Sequence, residues 1–388
     1  MQRIAIQPRP DWQAYAKNLG FQFHTMYGQT YWDESAYYQF SLRQIEQDLE
    51  AVTEELHAMA LDIVPDILAD EHKLDQLAIP VAYRDALAAS WRRGDPYLYG
   101  RMDLVYAGDA PAKLLELNYD TPTALYESGV FQWVWLEDML LRGRLPQGAD
   151  QFNSLHDQLE VAFTRLDLPQ PFYFTSVRDG VEDKGTVDYL LDIATQNGID
   201  GRYIALEDIG SLDGQYYDLQ GQPITGLFKL YPGEFLLSED FACDVLSSQT
   251  LWLEPLWKLL LSNKGILPLL WHKHRGHPNL LESHFDEGSV AGLQPGWVRK
   301  PLFSREGANV ELITSEGKRF REPGPYADAP LIRQRLQPLP CFAGHYALIG
   351  SWVVGDSAAG IGIREDNTLI TKDSARFVPH IILDEWSR

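Results

Sequence analysis

Two carboxylates and an amide alternate with apolar residues along one short stretch of the chain. Glu116, Asn118 and Asp120 are each separated by one residue, and Arg101 and Asp103 show the same spacing shortly before them. Side chains two residues apart share one face of a β-strand. Burying carboxylates is unfavourable unless a positive group meets them, and oxygen ligands at this spacing suit a hard cation such as Mg²⁺. A half-exposed strand with a solvated polar face explains the alternation equally well.

The elements that position these residues are a predicted hairpin and the helix after it. One strand is predicted around 102–106 and the second over 112–120, with Leu115 and Leu117 facing the core. The residues that follow favour a helix with Thr121 as N-cap and Pro122 at its first position. Such a helix start binds phosphate or carboxylate groups through its free N–H groups. A metal-binding strand that leads into an anion site is typical of phosphoryl transfer.

The composition restricts the kinds of molecule that the protein is expected to bind. The chain has 388 residues and a formal net charge of −22, which argues against non-specific nucleic-acid binding because that function requires a basic face. An acidic surface attracts a cationic substrate such as a polyamine, although it also serves solubility.

The sequence also predicts a cytoplasmic protein without a membrane segment. Two cysteines, Cys243 and Cys341, do not indicate a disulfide framework and fit a reducing compartment. The first residues lack the apolar core of a signal peptide. The longest apolar stretch, 251–271, is interrupted by charged residues and is not expected to span a membrane.

Periodicity divides the chain into three predicted parts. Residues 1–100 are predicted to be mainly helical, with one long amphipathic helix that ends before Pro65. Residues 101–225 hold the hairpin and an α/β segment, in which strands at 172–175 and 203–206 flank a helix at 186–196 and indicate a parallel sheet. Residues 226–388 begin with a predicted helix at 251–261. Strands follow, and they are predicted at 296–300, 310–314, 346–354 and 359–364.

Four basic residues stand at notable places in the last part. Lys264 follows a predicted helix end, Lys300 closes a strand, Arg305 lies in the small-residue loop 304–309, and Arg364 ends a glycine-rich strand. Such a loop can cover phosphates with backbone N–H groups and positive charge. Neither GxxxxGK[ST] nor GxGxxG is present. Taken singly, each cation is more commonly a surface residue than a ligand.

Several ordered blocks of the sequence resemble the glutathionylspermidine synthetases. They are RMD at 101–103, ELNYD at 116–120, EPLW at 254–257, NKGILP at 263–268, KP at 300–301, SREGANV at 304–310, GSWV at 350–353 and GIR at 362–364. Together these blocks extend from about Tyr97 to the end of the chain. The chain looks like the stand-alone members of the family, which lack an amidase domain.

The resemblance implies an α+β and α/β protein with an ATP-grasp fold, a helical N-terminal region and a pre-ATP-grasp-like α/β segment. It also implies ATP- and Mg²⁺-dependent ligation, in which a peptide-like carboxylate is phosphorylated and an amine attacks the acyl phosphate. Positioning and charge neutralisation dominate such catalysis.

The resemblance also assigns residues, again as implications. Asp103, Glu116 and Asn118 correspond to Mg²⁺ ligands, and Lys264 and Lys300 correspond to ATP phosphate ligands. Arg305 would lie near the transferred phosphate, Arg101 beside the γ-phosphate and the tetrahedral oxyanion, and Arg364 near the phosphates or the acyl group. Leu348 and Ile349 fall in the adenine segment 347–349. Thr121 and Thr123 stand where the family has serines that meet the peptide.

One region departs from the family pattern. Paired glutamates linked to substrate recognition correspond either to Lys184 and Gly185 or, after a shift of two residues, to Glu182 and Asp183. A lysine at this place would repel a polyamine, so the identity of the amine stays open.

Two other functions stay open from the sequence. A glycoside hydrolase also uses paired carboxylates, but it leaves the four basic residues without a role. A nucleotide-binding scaffold that has lost turnover would keep the metal ligands, and an ATP turnover assay with any amine separates it from a ligase.

Overall fold

The structure is a computed structural model, and it describes residues 1–26, 28–239, 242–286 and 292–384. The predicted long helix is present in the first hundred residues, but this region also contains strands that the helical prediction did not include. Its elements are β1 (Gln2–Ala5), α1 (Trp12–Asn18), β2 (Thr25–Met26), β3 (Gln29–Thr30), β4 (Ala36–Phe40), a π-helical segment (Gln44–Glu50), α2 (Ala51–Asp62), α3 (Val64–Leu68), α4 (Glu71–Gln76) and α5 (Val81–Arg93).

The predicted hairpin forms from β5 (Tyr99–Val105) and β6 (Lys113–Asn118), which pair antiparallel. Asp103 lies opposite Glu116, and Arg101 lies opposite Asn118. A β-bulge then leaves Leu115 without a residue opposite it, and the local kink turns its side chain toward a cavity. Leu117 is buried in the main core as predicted, whereas Leu115 is only partly buried and packs against a small cluster of Val105, Leu339 and Leu348 beside the cavity.

The helix after the hairpin begins later than predicted. Ala124 has a φ of 68°, a left-handed conformation that a helix cannot contain, so Thr121 and Pro122 lie outside the helix. The helical residues begin at Leu125 and continue through a π-helical segment (Glu127–Phe131) into α6 (Gln132–Leu141). The predicted anion-binding helix start at Pro122 is wrong.

The predicted β-α-β segment is confirmed and belongs to a parallel sheet of four strands, in the order β12–β11–β7–β8. Helix α8 starts five residues before its predicted start, which places Glu182 and Asp183 in its first turn. The elements here are α7 (Leu155–Arg165), β7 (Phe172–Ser176), α8 (Val181–Gln196), β8 (Gly201–Ala205), β9 (Gly210–Leu212), β10 (Gln215–Tyr217), β11 (Gly226–Lys229), α9 (Gly233–Leu236), α10 (Ala242–Ser247) and β12 (Leu251–Leu253).

The predicted helix at 251–261 is partly wrong because its first three residues form β12, beside β11. A short apolar run fits a buried strand as well as a helix. A 3₁₀ turn (Leu256–Lys258) and α11 (Leu259–Ser262) follow, and they end where the helix was predicted to end.

The last part is rich in strands, as predicted. Its elements are α12 (Ile266–Lys273), β13 (Ser283–Asp286), β14 (Trp297–Pro301), β15 (Glu311–Ile313), β16 (Arg319–Arg321), β17 (Leu331–Arg335), β18 (Cys341–Phe342), β19 (His345–Val354), β20 (Ser357–Asp366), β21 (Arg376–Val378) and β22 (His380–Ile382). Strands β13 to β17 form an antiparallel sheet in the order β13–β17–β14–β15–β16. In the described ranges, no helix combines the length and apolarity that crossing a membrane requires.

A central six-stranded sheet positions the hairpin. Its order is β21–β20–β19–β5–β6, with β18 beside β19, so strands from the second and third predicted parts share one sheet. The division at residues 100 and 225 stays a prediction. Gly350 of β19 lies opposite Asp103, and a Cβ atom there would come within 2.9 Å of the Arg101 Cδ. Glycine at this position therefore leaves room for the Arg101 side chain.

A buried tryptophan is one of the residues that connect the central sheet to the helix after the hairpin. Trp352 is 0% exposed, stacks on Tyr99 at 6.0 Å between ring centroids, and donates from Nε1 to the Ser128 Oγ at 3.0 Å.

We expect Trp352→Ala to lower the free energy of unfolding by about 3–5 kcal/mol, because it leaves a buried cavity and removes the indole donor to the Ser128 Oγ. Urea unfolding measures this change. Trp133→Ala, at a tryptophan that is 39% exposed, is the matched control and should cost less than about 1 kcal/mol. Equal losses in the two variants would contradict this description of the core.

Candidate active site

A cavity of about 280 Å³ lies between the central sheet and the antiparallel sheet of β13–β17. One part of its lining is charged and the other is apolar. The charged and amide residues on its wall include Arg101, Asp103, Glu116, Asn118, Lys300, Arg305 and Arg364. The apolar part includes Leu115, Val298, Leu312, Leu336, Leu339, Leu348 and Ile370. The structure therefore brings together residues as distant in the chain as Arg101 and Ile370.

The carboxylates of the hairpin meet cations. The Arg101 Nε lies 2.8 Å from the Asp103 Oδ1, and the Lys264 Nζ lies 3.3 Å from the Glu116 Oε2. Burial raises the pKa of Asp103, and Arg101 only partly offsets this effect. Burial also acts to raise the pKa of Glu116, but the ammonium groups of Lys264 and Lys300 lower it to about 2. Glu116 is therefore ionised at neutral pH.

The two lysines connect the hairpin to the other sheet. The Lys264 Nζ donates to the Ser304 carbonyl at 2.6 Å. The Lys300 Nζ donates to the Leu115 carbonyl at 3.0 Å and to the Gln334 Oε1 at 2.9 Å. Burial lowers the pKa of Lys300 to about 8, although Glu116 acts to raise it. Lys300 thus lies on the cavity wall, whereas Lys264 lies outside this lining and lines a small adjoining cleft with Asn118, Thr121 and Arg305.

The residues predicted as metal ligands fit a hard cation. Asn118 lies on the cavity wall, and its buried Nδ2 has no hydrogen-bond partner among the described residues. Two carboxylates and an amide suit Mg²⁺, which usually takes few protein ligands and completes its shell with phosphate and water oxygens. Across the described ranges there is no cluster of three or more His, Cys, Asp or Glu residues that could hold a metal alone. A cation at this site would take its remaining ligands from a bound anion and from water.

The loop 304–309 closes one side of the cavity. The Arg305 Nη1 donates to the Thr121 Oγ1 at 3.0 Å, and its Nη2 donates to the Glu234 Oε1 at 2.8 Å. Gly307 has a φ of 71°, and a Cβ atom there would come within 2.8 Å of the Thr371 carbonyl oxygen. The loop therefore packs tightly against residues 370–371, and glycine is required for that contact.

The predicted substrate residues lie at the end of the cavity beside Arg305 and Arg364. Thr121, Thr123 and Asp183 line it. The Thr123 carbonyl accepts a hydrogen bond from the Arg101 Nη1 at 2.7 Å. Glu182 is not on the lining but is half-buried beside Asp183 in the first turn of α8. Burial, with Glu127 as the next cause, raises the pKa of Glu182 to about 8.

Lys184 does not face this cavity, contrary to the expectation that it would repel a cationic amine there. Its ammonium group pairs with Asp188, one helical turn away, and lies 4.2 Å from the ring centroid of Tyr203. It lines a separate cavity together with Tyr173 and Arg202. Gly185 packs against Phe23, so Glu182 and Asp183 are the pair nearest the candidate site.

The adenine segment predicted at 347–349 is only partly in place. Leu348 lines the apolar part of the cavity, whereas Ile349 points to the opposite face of β19 and into the core. The structure therefore does not bring the Ile349 side chain to the site. Residues 334–337 and Leu339, at the end of β17 and just after it, line the cavity as well. No motif in the sequence distinguishes this segment, since only the pairing of β17 with β14 carries it to the cavity.

Arg364 reaches the cavity as predicted. Its Nη2 donates to the Lys372 carbonyl at 2.7 Å, while its buried Nε has no hydrogen-bond partner in the part of the chain that the structure describes. This open N–H group gives Arg364 capacity for one further acceptor.

Sequence reasoning missed a buried carboxyl group next to the site. Glu127 is 0% exposed and accepts a hydrogen bond from the Tyr31 hydroxyl at 2.5 Å. Burial raises its pKa to about 7, although the Tyr31 hydrogen bond and the positive charges of Arg364 and Arg101 act to lower it. The one signal that could have identified Glu127 is its place at the start of the helix that follows the hairpin.

Comparisons with known proteins point to one family. A sequence model described as "Glutathionylspermidine synthase preATP-grasp" matches residues 3–383. The chain is 39% identical over 400 residues to a putative acid–amine ligase of Haemophilus influenzae, covering 98% of this chain and 99% of that protein.

Longer relatives match over part of their length. Trypanothione synthetase of Crithidia fasciculata is 28% identical over 82% of this chain, and the bifunctional glutathionylspermidine synthetase/amidase of Escherichia coli is 26% identical over 90%. The chain covers 52% and 60% of these two proteins.

Among solved structures, a glutathione synthetase-like effector of Globodera pallida aligns with a TM-score of 0.55. The identity is 11%, and the alignment covers 89% of each chain. This likeness concerns the fold alone.

The raised pKa of Glu127 predicts a pH-dependent stability. Its folded-state pKa of about 7 exceeds the usual value of 4.5, so its contribution to stability is complete below pH 4.5 and is lost as pH rises through 7. Relative to Glu127→Gln, the wild type should lose on the order of 2 kcal/mol between pH 5 and pH 8. Urea unfolding at both pH values measures this difference. Glu137→Gln, on the exposed side of α6, controls for the loss of one carboxylate. Parallel pH profiles of Glu127→Gln and the wild type would refute the assignment.

Proposed function

Because the chain belongs to the glutathionylspermidine synthase family and is a carbon–nitrogen ligase, we propose that it uses ATP and Mg²⁺ to join a peptide-like carboxylate to an amine. The observation that carries this proposal is the meeting of Asp103, Glu116, Asn118 and Lys300 on the charged wall of one cavity, while Lys264 lies outside that lining and pairs with Glu116. An apolar part of the same cavity continues from this cluster. A polyanion with a planar apolar end, such as ATP, matches this division.

The same cavity supports a proposal for the fold. We propose an ATP-grasp arrangement in which the central sheet and the sheet of β13–β17 are the two lobes. Val298, Lys300 and Leu312 project from the second sheet, and Leu348 projects from β19. Adenine would lie between Leu348 and the segment 334–339, with the phosphates directed toward the hairpin.

The charged residues have distinct roles in the proposed reaction. Asp103, Glu116 and Asn118 would hold Mg²⁺, which neutralises the charge on the phosphates when it is bound. Lys264 and Lys300 would contact the phosphates from the opposite side. These groups are positioned before ATP binds, so little reorganisation is needed during the reaction.

Arginines complete the phosphoryl-transfer step. Arg305 would bind the transferred phosphate from the closing loop, and Arg101, fixed by Asp103 and the Thr123 carbonyl, would stabilise the oxyanion. Arg364 would bind the acyl or phosphate oxygens. The substrate carboxylate attacks the γ-phosphate and releases ADP, and the amine then attacks the acyl phosphate. The carbon–nitrogen bond forms, phosphate leaves, and the amine loses protons.

The end of the cavity near Thr121 and Thr123 is proposed to bind the two substrates. The threonine hydroxyl groups would meet the peptide, while Glu182 and Asp183 supply negative charge for a polyamine-like amine. Since Lys184 faces a different cavity, it does not oppose a cationic amine at this site.

Assay of ADP release with pairs of peptides and amines tests the proposal, with mass spectrometry of the amide product. Release that requires both a peptide carboxylate and an amine, together with a product smaller by one water than its two precursors, supports the ligase. Nucleotide binding without ADP release for any pair would favour the non-catalytic scaffold.

Asn118→Ala should weaken binding of the Mg²⁺ complex of an ATP analogue by about tenfold or more, because it removes one ligand. It should leave the free energy of unfolding nearly unchanged, since the Asn118 Nδ2 has no described partner. Calorimetric titration and urea unfolding measure the two quantities. Asn279→Ala is the contrasting control, because Asn279 donates to the Ala112 carbonyl at 2.8 Å and its loss should lower stability. Unchanged affinity in folded Asn118→Ala would exclude Asn118 as a ligand.

A further inference from the structure

Arg305 of the closing loop contacts a carboxylate of α9, the short helix that follows strand β11 of the parallel sheet. Arg305 donates to the Glu234 Oε1 at 2.8 Å, and its guanidinium carbon lies 5.8 Å from the ring centroid of Phe235. Both residues belong to the short helix α9, which follows β11. With Thr121 on the other side, Arg305 is enclosed by residues that lie outside its own sheet.

Glu234 is itself held in place by a buried ion pair. The Lys229 Nζ donates to the Asp120 Oδ1 at 2.5 Å, and the neighbouring Gly233 N–H donates to the Asp120 Oδ2 at 2.7 Å. The Lys229 and Asp120 side chains are almost completely buried. Asp120 comes two residues after Asn118, so the end of the metal-binding strand fixes the start of α9. A carboxylate on such an anchored segment defines the position of its partner closely.

Glu234 and Arg305 each keep a polar atom that their contact does not use. The buried Glu234 Oε2 and the Arg305 Nε have no hydrogen-bond partner among the described residues. Burial acts to lower the pKa of Arg305, and the negative charge of Glu234 more than offsets it, so the pKa is raised. Glu234 therefore holds the arginine through one nitrogen and leaves N–H groups for an anion in the cavity.

We propose that Glu234 is a positioning residue, which holds Arg305 in the orientation that it needs at the phosphate end of the cavity. The role of Arg305 in phosphoryl transfer rests on the proposed function, but the hold of Glu234 on Arg305 does not. An arginine side chain has many rotamers. A fixed carboxylate partner restricts them in advance, so less conformational entropy is lost when the transition state forms.

Trypsin cleavage of the Arg305–Glu306 bond tests whether Glu234 holds Arg305 in place, and the test needs no enzymatic activity of the protein. The full chain without ligand is digested, and the fragments 1–305 and 306–388 are quantified by mass relative to cleavage after the exposed Arg319. We expect Glu234→Gln to raise the relative cleavage rate about fivefold, because the open loop becomes more populated. Glu239→Gln is the matched control, since Glu239 lies nearby, is exposed, and contacts Tyr231 instead of Arg305. A rate in Glu234→Gln equal to that in the control would overturn the proposal.

Enzyme kinetics test whether the contact between Glu234 and Arg305 contributes to catalysis. Glu234→Gln should lower kcat for ADP release about tenfold and leave the KM for ATP within about twofold, because the oriented arginine acts mainly in the transition state. In an Arg305→Ala background the same substitution should have no further effect. An equal loss in both backgrounds would overturn the positioning role. Absence of ADP release from the wild type would contradict the proposed function, and the trypsin result would then still decide whether Glu234 holds Arg305.

Discussion

The site depends on the mutual neutralisation of buried charges. Asp103 and Glu116 face each other on adjacent strands, where like charges directly opposite destabilise a sheet. Arg101 pairs with the first carboxylate and Lys264 with the second, while Lys300 lowers the pKa of Glu116 from the opposite sheet. Removing one member of such a group leaves a buried charge without compensation. The hairpin, the loop after α11 and strand β14 must therefore assemble together.

Most of the architecture could be predicted from local patterns in the sequence. Alternation identified β5 and β6, apolar spacing identified the helix that includes α2, and the order of elements identified the parallel pairing of β7 and β8. The errors arise where tertiary contacts decide the local structure. The bulge at Leu115, the left-handed Ala124 and the strand at 251–253 each depend on a neighbouring strand or loop that sequence periodicity does not reveal.

In the candidate site, too, local sequence patterns predict some residues, whereas others depend on partners that are distant in the chain. The predicted ligands Asp103, Glu116 and Asn118 lie on one wall of the cavity because strand alternation alone places them there. Glu234 and Glu127 were missed because their significance comes from partners distant in the chain, Arg305 and Tyr31. Their roles, like those of the ligands, stay predictions that the experiments above address.

The most direct test of the account is thermal melting with and without Mg²⁺ and a non-hydrolysable ATP analogue. A ligand that binds only the folded state raises the midpoint. The account predicts a rise in the wild type that requires Mg²⁺ and is lost in Glu116→Gln. Glu311→Gln is the control and should keep the rise, because Glu311 pairs with Arg319 on the other face of the second sheet. A folded wild type whose midpoint does not respond to the analogue with Mg²⁺ would contradict the central claim that this cavity is a metal–nucleotide site.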